Sequence, residues 1–157
     1  MVENRSAALG TVFPTLAYDD VGAAIDWLCS AFGFAERFRY GPPGQPQGAM
    51  LTVGAGSVML TAAREADPSG EWWARVALRQ PRADEQSCSI GVRVEDVDAH
   101  HERARRAGAR ILNPPETYLY GERQYSVLDL AGHRWNFTQS VADLAPQEWG
   151  GESPVAS

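Results

Sequence analysis

Apolar residues recur along this chain at two spacings, one that suits strands and one that suits helices. Thr11 to Tyr18 (TVFPTLAY) reads as a strand. Asp19-Asp20 then offers side-chain oxygen to the unpaired N–H groups that open a helix. Val21, Ala24, Ile25, Leu28, Cys29 and Phe32 follow at three-four spacing as one apolar face, and Gly33 ends the helix. Glu36 to Tyr40, Ala49 to Val53 and Ser57 to Ala62 read as strands, the last two joined through Gly54-Ala55-Gly56. Between the first two runs GPPGQPQG (Gly41 to Gly48), a loop, because proline removes donors and fixes φ. Arg64 to Gln86 is polar, has no clear period and contains Pro68, Gly70, Trp72, Trp73 and Pro81. It is expected to be a linker or lid.

The pattern then begins again. In Ser87 to Glu95, Ile90, Val92 and Val94 alternate with Ser89, Gly91 and Arg93, as in a strand. Asp96 caps a second helix, Val97 to Ala107, ended by Gly108. A strand starts at Arg110 to Asn113, is interrupted by Pro114-Pro115 and resumes near Thr117. Arg123 to Asp129 and His133 to Gln139 form a hairpin around Leu130-Ala131-Gly132. The order β-α-β-β-β thus occurs twice, and the repeat extends to residues. Asp20-Val21 aligns with Asp96-Val97, Ala23 and Ala31 with Ala99 and Ala107, and Leu60-Thr61 with Phe137-Thr138, with a single-residue slip in the loops. The organisation read from this is an N-terminal arm (1–10), a first βαβββ module (11–64), a linker or lid (65–86), a second βαβββ module (87–140) and a tail (141–157). The tail has a helical turn near Pro146 and a polar, loose end.

Composition narrows the function classes. The apolar share is 44% and the charged share 22%, ordinary for a folded domain. A net charge of -6 argues against nucleic acid as a partner and slightly favours cationic or neutral ligands. The basic cluster Arg103, Arg105, Arg106 and Arg110 is interleaved with Glu95, Asp96, Asp98 and Glu102, the pattern of a solvated helix face. No apolar run approaches the ~20 residues that span a bilayer, so no membrane partner is expected. Met1 to Gly10 lacks the plan of a signal peptide. Cys29 and Cys88 read as two small buried thiols. The expected location is cytoplasmic.

The stretches DDVGAAIDWLCSAFGF (19–34), SIGVRVEDVDAHHERARRAGA (89–109) and YGERQYSVLDLAGHRWNF (120–137) resemble the vicinal oxygen chelate superfamily. That superfamily includes glyoxalase I, extradiol dioxygenases, fosfomycin-resistance enzymes and bleomycin-resistance proteins. The resemblance covers residues 11 to 140 and implies an α+β fold. Two βαβββ modules in tandem would form a cup-shaped mixed β-sheet, with helices on its outer face. In metal-dependent members four side chains, usually His, Glu or Gln, point into the cup. The matching positions here are Phe13, Met59, Ser89 and Asn136, and the internal repeat pairs Phe13 with Ser89 and Met59 with Asn136.

Alternation along the strands extends the cup. Trp135 and Phe137 pack inward, so Arg134, Asn136 and Thr138 face the other way. By the same rule Ser89, Gly91 and Arg93 face the cup, as do Ser57, Met59 and Thr61, and Phe13 and Thr15. Trp72 and Trp73 are placed to stack on a flat ligand as a lid, or to cover a sheet edge or dimer contact. Tyr118, Tyr120 and Tyr125 line the rim or fill sheet positions. A divalent metal needs imidazole, thiolate or carboxylate donors. Phe13 has no donor, the Met59 thioether is a poor one, and Ser89 and Asn136 are weak and neutral, so neither metal nor other cofactor is expected. His100 and His101 diverge by roughly 100° on one helix; His100 is expected in solvent and His101 half-buried. His133 reads as a structural residue of the hairpin.

These observations lead to a small-molecule receptor in the manner of bleomycin-resistance proteins, taking an antibiotic or aromatic natural product in a metal-free cup. The halves are expected to pair in a homodimer, which would cover exposed strand edges. The alternative is an enzyme, either a metal-independent lyase or isomerase, or a lyase, isomerase or dioxygenase type whose metal site is non-standard or lies at positions other than these four. Its acid-base groups would be drawn from Glu36, Glu65, Glu122, Asp129 and His133, with Asp129 better suited to capping the turn. A third reading is an interaction module with an unused cup.

Overall fold

The computed structural model describes residues 4–154. The first module contains β1 (Thr15–Tyr18), α1 (Val21–Phe32), β2 (Ala35–Tyr40), β3 (Gly48–Val53) and β4 (Gly56–Ala62). The second contains β5 (Ser89–Arg93), α2 (Val97–Arg106), β6 (Arg110–Thr117), β7 (Glu122–Leu128) and β8 (Arg134–Ser140). Each module forms a four-stranded mixed sheet, ordered β1-β4-β3-β2 and β5-β8-β7-β6. β1 runs parallel to β4, and β5 parallel to β8.

The helix ends follow the sequence. The Asp20 carboxylate accepts from Ala23 N at 2.9 Å, and Gly33 leaves α1 with φ 72° while its N–H returns to the Cys29 carbonyl. Asp96 caps α2 in the same way through Ala99 N at 2.9 Å.

Three expectations are corrected. β6 is continuous across Pro114-Pro115. It is an edge strand that pairs only with β7, and the prolines fall within a shift of register between Asn113 and Glu116, where ladder N–H groups are not required. His100 is not in solvent. Its Nδ1 lies 2.7 Å from the Tyr125 hydroxyl, its Nε2 lies 3.0 Å from the Phe32 carbonyl oxygen, and its ring packs on Phe137 at 3.9 Å between centroids. Cys88 is exposed, because it precedes β5 in an irregular segment; Cys29 is partly buried. The tail does make a 3₁₀ turn at Pro146–Trp149. The looseness expected of its end falls partly on 155–157, outside the described residues, as do 1–3 of the arm. No helix among the described residues is long and apolar enough to cross a membrane.

One core serves both modules. Leu16, Val58 and Leu60 meet Ala24, Ile25 and Leu28 of α1, while Val127, Trp135 and Phe137 meet Val97 and Ala104 of α2. The modules join where α1 ends. Phe32 packs edge-on against Phe137 at 4.9 Å, and Phe34 lies 5.3 Å from Trp135. Beside them sits Asp129, 6% exposed. Its Oδ2 accepts from the Tyr18 hydroxyl (2.7 Å) and from Trp135 Nε1 (3.0 Å), and its Oδ1 from the backbone N–H groups of Ala131 (2.9 Å) and His133 (3.0 Å). His133 Nε2 reaches the Ala17 carbonyl at 2.8 Å.

Replacing Asp129 by Ala is expected to cost at least about 3 kcal/mol of unfolding free energy in urea titration, because buried donors lose a charged acceptor. Asp129→Asn, which keeps one acceptor oxygen, is expected to cost about half as much. A second expectation concerns pH. Burial lowers the affinity of His100 for a proton, against the smaller opposing effect of its bond to the Phe32 carbonyl. As pH falls through the ordinary histidine value of about 6.5, the unfolded chain therefore takes up a proton before the folded one does, and stability drops. The urea midpoint should fall between about pH 7.5 and about pH 5.5, and fall less in His100→Gln.

Candidate functional site

With their apolar faces spent on the core, the two sheets present their other faces. On the first, hydrogen-bonding register places Thr15, Met59, Met50 and Phe38 in one row across β1, β4, β3 and β2. Ala17, Thr61, Gly48 and Tyr40 form the next row. This face is mostly apolar and already partly covered by the chain, since Met50 and Ala17 on it are buried. The N-terminal arm is tied to the same sheet: Leu9 N donates to Ser57 Oγ at 2.8 Å, and Arg37 donates to the carbonyls of Arg5 and Ala7.

The second sheet is polar in the equivalent place. Gly91, Asn136, Ser126 and Asn113 share a row across β5, β8, β7 and β6. Ser126 Oγ donates to Asn136 Oδ1 at 2.6 Å, and Asn136 Nδ2 donates to Ser89 Oγ at 3.2 Å. Arg134 Nη2 donates to Ser126 Oγ at 3.3 Å. The next row holds Arg93, Thr138, Gln124 and Glu116. There Glu122 accepts from Thr138, from Ser140 at 2.9 Å and from Arg93 at 3.0 Å. These donors, Thr138 foremost, hold its carboxyl below the usual glutamate range against the opposing effect of burial.

The residues expected in the cup therefore fall into two sets. Thr15, Met59 and Thr61 lie on the first sheet, with Phe13, 42% exposed, just before it. Ser89, Arg93, Arg134, Asn136 and Thr138 lie on the second. Among the described residues no hydrogen bond joins one set to the other. Several clefts draw on both modules, and one open cleft of about 770 Å³ includes a residue of each set, Thr15 and Arg134. Thr15, Leu16 and Ala17 line it from the first module and Ser87, Cys88, Ile90, His133 and Arg134 from the second, with linker residues Leu78–Arg82 and Asp84–Gln86 along it.

Trp72 and Trp73 stand apart from that cleft on an exposed 3₁₀ turn, where the Arg64 guanidinium lies 5.3 Å from the Trp73 ring. Tyr125 is fully buried, whereas Tyr118 and Tyr120 stack at 5.4 Å beside Trp149. Of the acid-base candidates, Glu36 and Glu65 are in exposed ion pairs with Arg39 and Arg79, and Asp129 and His133 are occupied in the core. Glu122 alone of these faces the polar row. Ser126 and Gln124 were not singled out from sequence, although the alternation of Gln124 and Ser126 with Tyr125 and Val127 along β7 carries the signal.

Comparison with known proteins agrees with this architecture. Residues 10–137 match the family model of the glyoxalase/bleomycin resistance protein/dioxygenase superfamily. Uncharacterized proteins of Mycobacterium bovis and Mycobacterium tuberculosis are 32% identical over 136 residues, covering 86% of this chain and 86% and 77% of theirs. The crystal structure of TioX from Micromonospora sp. ML1 superposes with a TM-score of 0.64 at 35% identity, over 83% of this chain and 99% of that one. A glyoxalase-related enzyme from Fulvimarina pelagi shares the fold, with a TM-score of 0.63 at 20% identity over 83% of this chain and 88% of its own.

The superfamily includes metal-dependent members, and the donor set here does not fit a divalent cation. Phe13 has no donor atom, Met59 offers a thioether, and both polar atoms of the Asn136 amide already bond to Ser126 and Ser89. Zinc, manganese, nickel or ferrous ion added to purified protein is therefore expected to leave its Tm unchanged, and elemental analysis to find less than stoichiometric metal.

Proposed function

The chain belongs to the glyoxalase/bleomycin resistance protein/dioxygenase superfamily, and on that premise we propose that it is a metal-independent receptor for a small organic molecule. The ligand lies in a cup that pairs the apolar sheet face of a first module with the polar sheet face of a second. The observation that carries this reading is the division of labour between the two faces. Thr15, Met59 and Phe38 supply adaptable, mostly apolar surface, and Ser89, Asn136 and Arg134 supply a few directed hydrogen-bonding groups. Small-molecule sites combine those ingredients, apolar lining with a few placed polar groups, and methionine adapts to irregular shapes.

The two faces belong to separate sheets of one chain, and β1 and β5 are both edge strands. A homodimer that sets one copy's first module against the other's second would close the cup and cover those edges.

The test is a thermal-shift screen of aromatic and peptidic compounds, followed by titration of the compounds that bind. Met59→Gln and Asn136→Leu are each expected to weaken a genuine ligand about tenfold or more, through a buried amide and a lost polar partner respectively. Light scattering is expected to give a dimer. A screen without ligands, or ligands indifferent to both substitutions, would overturn the proposal.

A further inference from the structure

Gly91 occupies the middle of β5, where Ile90 and Val92 turn toward the core and position 91 joins Asn136 on the polar face. Glycine weakens a strand interior and is kept there for a bulge, for unusual backbone angles or for close approach of another group. The first two reasons are absent. Gly91 is not among the glycines with positive φ, and the β5–β8 register runs without a shift. Nor does the chain itself crowd the position: a Cβ built there meets nothing within 4 Å among the described residues. Gly48 is different, since the Tyr40 ring occupies the space its side chain would take.

The internal repeat sharpens the point. Gly91 pairs with Asn136 across parallel strands, and in the same register of the first module Thr15 pairs with Met59. The fold therefore accepts a β-branched side chain at this place. In the second module the same place is left open on the exposed face, free for a group from outside the chain.

Beside the open space runs a directed series of hydrogen bonds, Arg134 to Ser126, Ser126 to Asn136, and Asn136 to Ser89. Each link polarises the next. The series ends on the exposed Ser89 hydroxyl, whose oxygen already accepts and whose proton is left to donate; the second N–H of Asn136 is also left. Arg93 on the same face is neutralised by Glu122, so the place suits an uncharged acceptor better than an anion.

We infer that Gly91 is the floor of the ligand site and that it admits a flat, conjugated ligand whose carbonyl oxygen accepts from Ser89 and Asn136. This rests on the reading of the chain as a small-molecule receptor and narrows it to a ligand class and a specificity-determining residue.

The probes are two fluorescent molecules of similar size, 7-methoxycoumarin, which carries a ring carbonyl, and 2-methoxynaphthalene, which does not. The wild-type protein is expected to bind the coumarin more tightly. Gly91→Val is expected to raise Tm, since valine suits a strand better than glycine does, yet to weaken coumarin binding about tenfold or more. Gly91→Ala should do both to a smaller degree. Ser89→Ala should weaken the coumarin about fivefold or more and change the naphthalene less than about twofold. Unchanged coumarin affinity in Gly91→Val, equal affinity of the wild type for both probes, or no binding of the coumarin would overturn the inference. So would a shift of Gly91→Val from dimer to monomer, which would assign the open space to a second copy. If the broader screen yields ligands while the coumarin does not bind, the receptor reading stands and the carbonyl assignment alone falls.

Discussion

Asp129 stands in a turn of the second module, and one of its oxygens is shared by a phenol from the first module and an indole from the second. A carboxylate buried without partners would be strongly disfavoured; surrounded by two side-chain and two backbone donors, it becomes a fixed point. Tyr18 ends β1 and Trp135 lies in β8, so the same carboxylate sets the β1 edge against the β7–β8 turn. The bond from His133 to the Ala17 carbonyl reinforces that placement. The angle between the two sheets, and hence where their outer faces point, follows from this joint and from the aromatic cluster of Phe32, Phe34, Trp135 and Phe137 around it.

Once the joint is set, the strand period of two decides the rest. Residues that pack against α1 and α2 commit their neighbours to the opposite face. Leu60 inward means Met59 and Thr61 outward, and Trp135 and Phe137 inward mean Asn136 and Thr138 outward. A slip of one residue would bury Arg134 and Asn136 and expose Trp135, so the register of the candidate site is protected by the same hydrophobic energy that protects the fold. The site needs no separate device to hold it in place.

Alternation and capping made the strands, both helices and the repeat legible in the sequence, and the outward set from Thr15 to Thr138 was legible for the same reason. What was not legible depends on contacts between segments far apart in the chain. His100 belongs to a polar helix whose exposed neighbours suggest solvent, and its burial comes from the end of α1 and from Tyr125. Trp72 and Trp73 have the composition of a lid, yet the side of the linker that meets the cleft is set by the Arg64–Leu78 bridge and by Gln80 bonding to Asp19. Pro114-Pro115 signals a break only if the strand is central; that β6 is an edge strand is a property of the sheet.

The repeat carries one more argument. Where the modules must do the same thing they agree: Asp20 and Asp96 cap equivalent helices with equal geometry, and Leu60 and Phe137 fill equivalent core positions. Where they face the cup they diverge, Thr15 against Gly91 and Met59 against Asn136. The core around the helices does not account for the divergence, because Thr15, Met59, Gly91 and Asn136 lie outside it. A symmetric pair of apolar faces would have closed on itself as a second core, and a symmetric pair of polar faces would have remained solvated. One apolar and one polar face do neither well alone, and it is on this asymmetry that the proposed binding of a molecule with an apolar body and a polar edge rests.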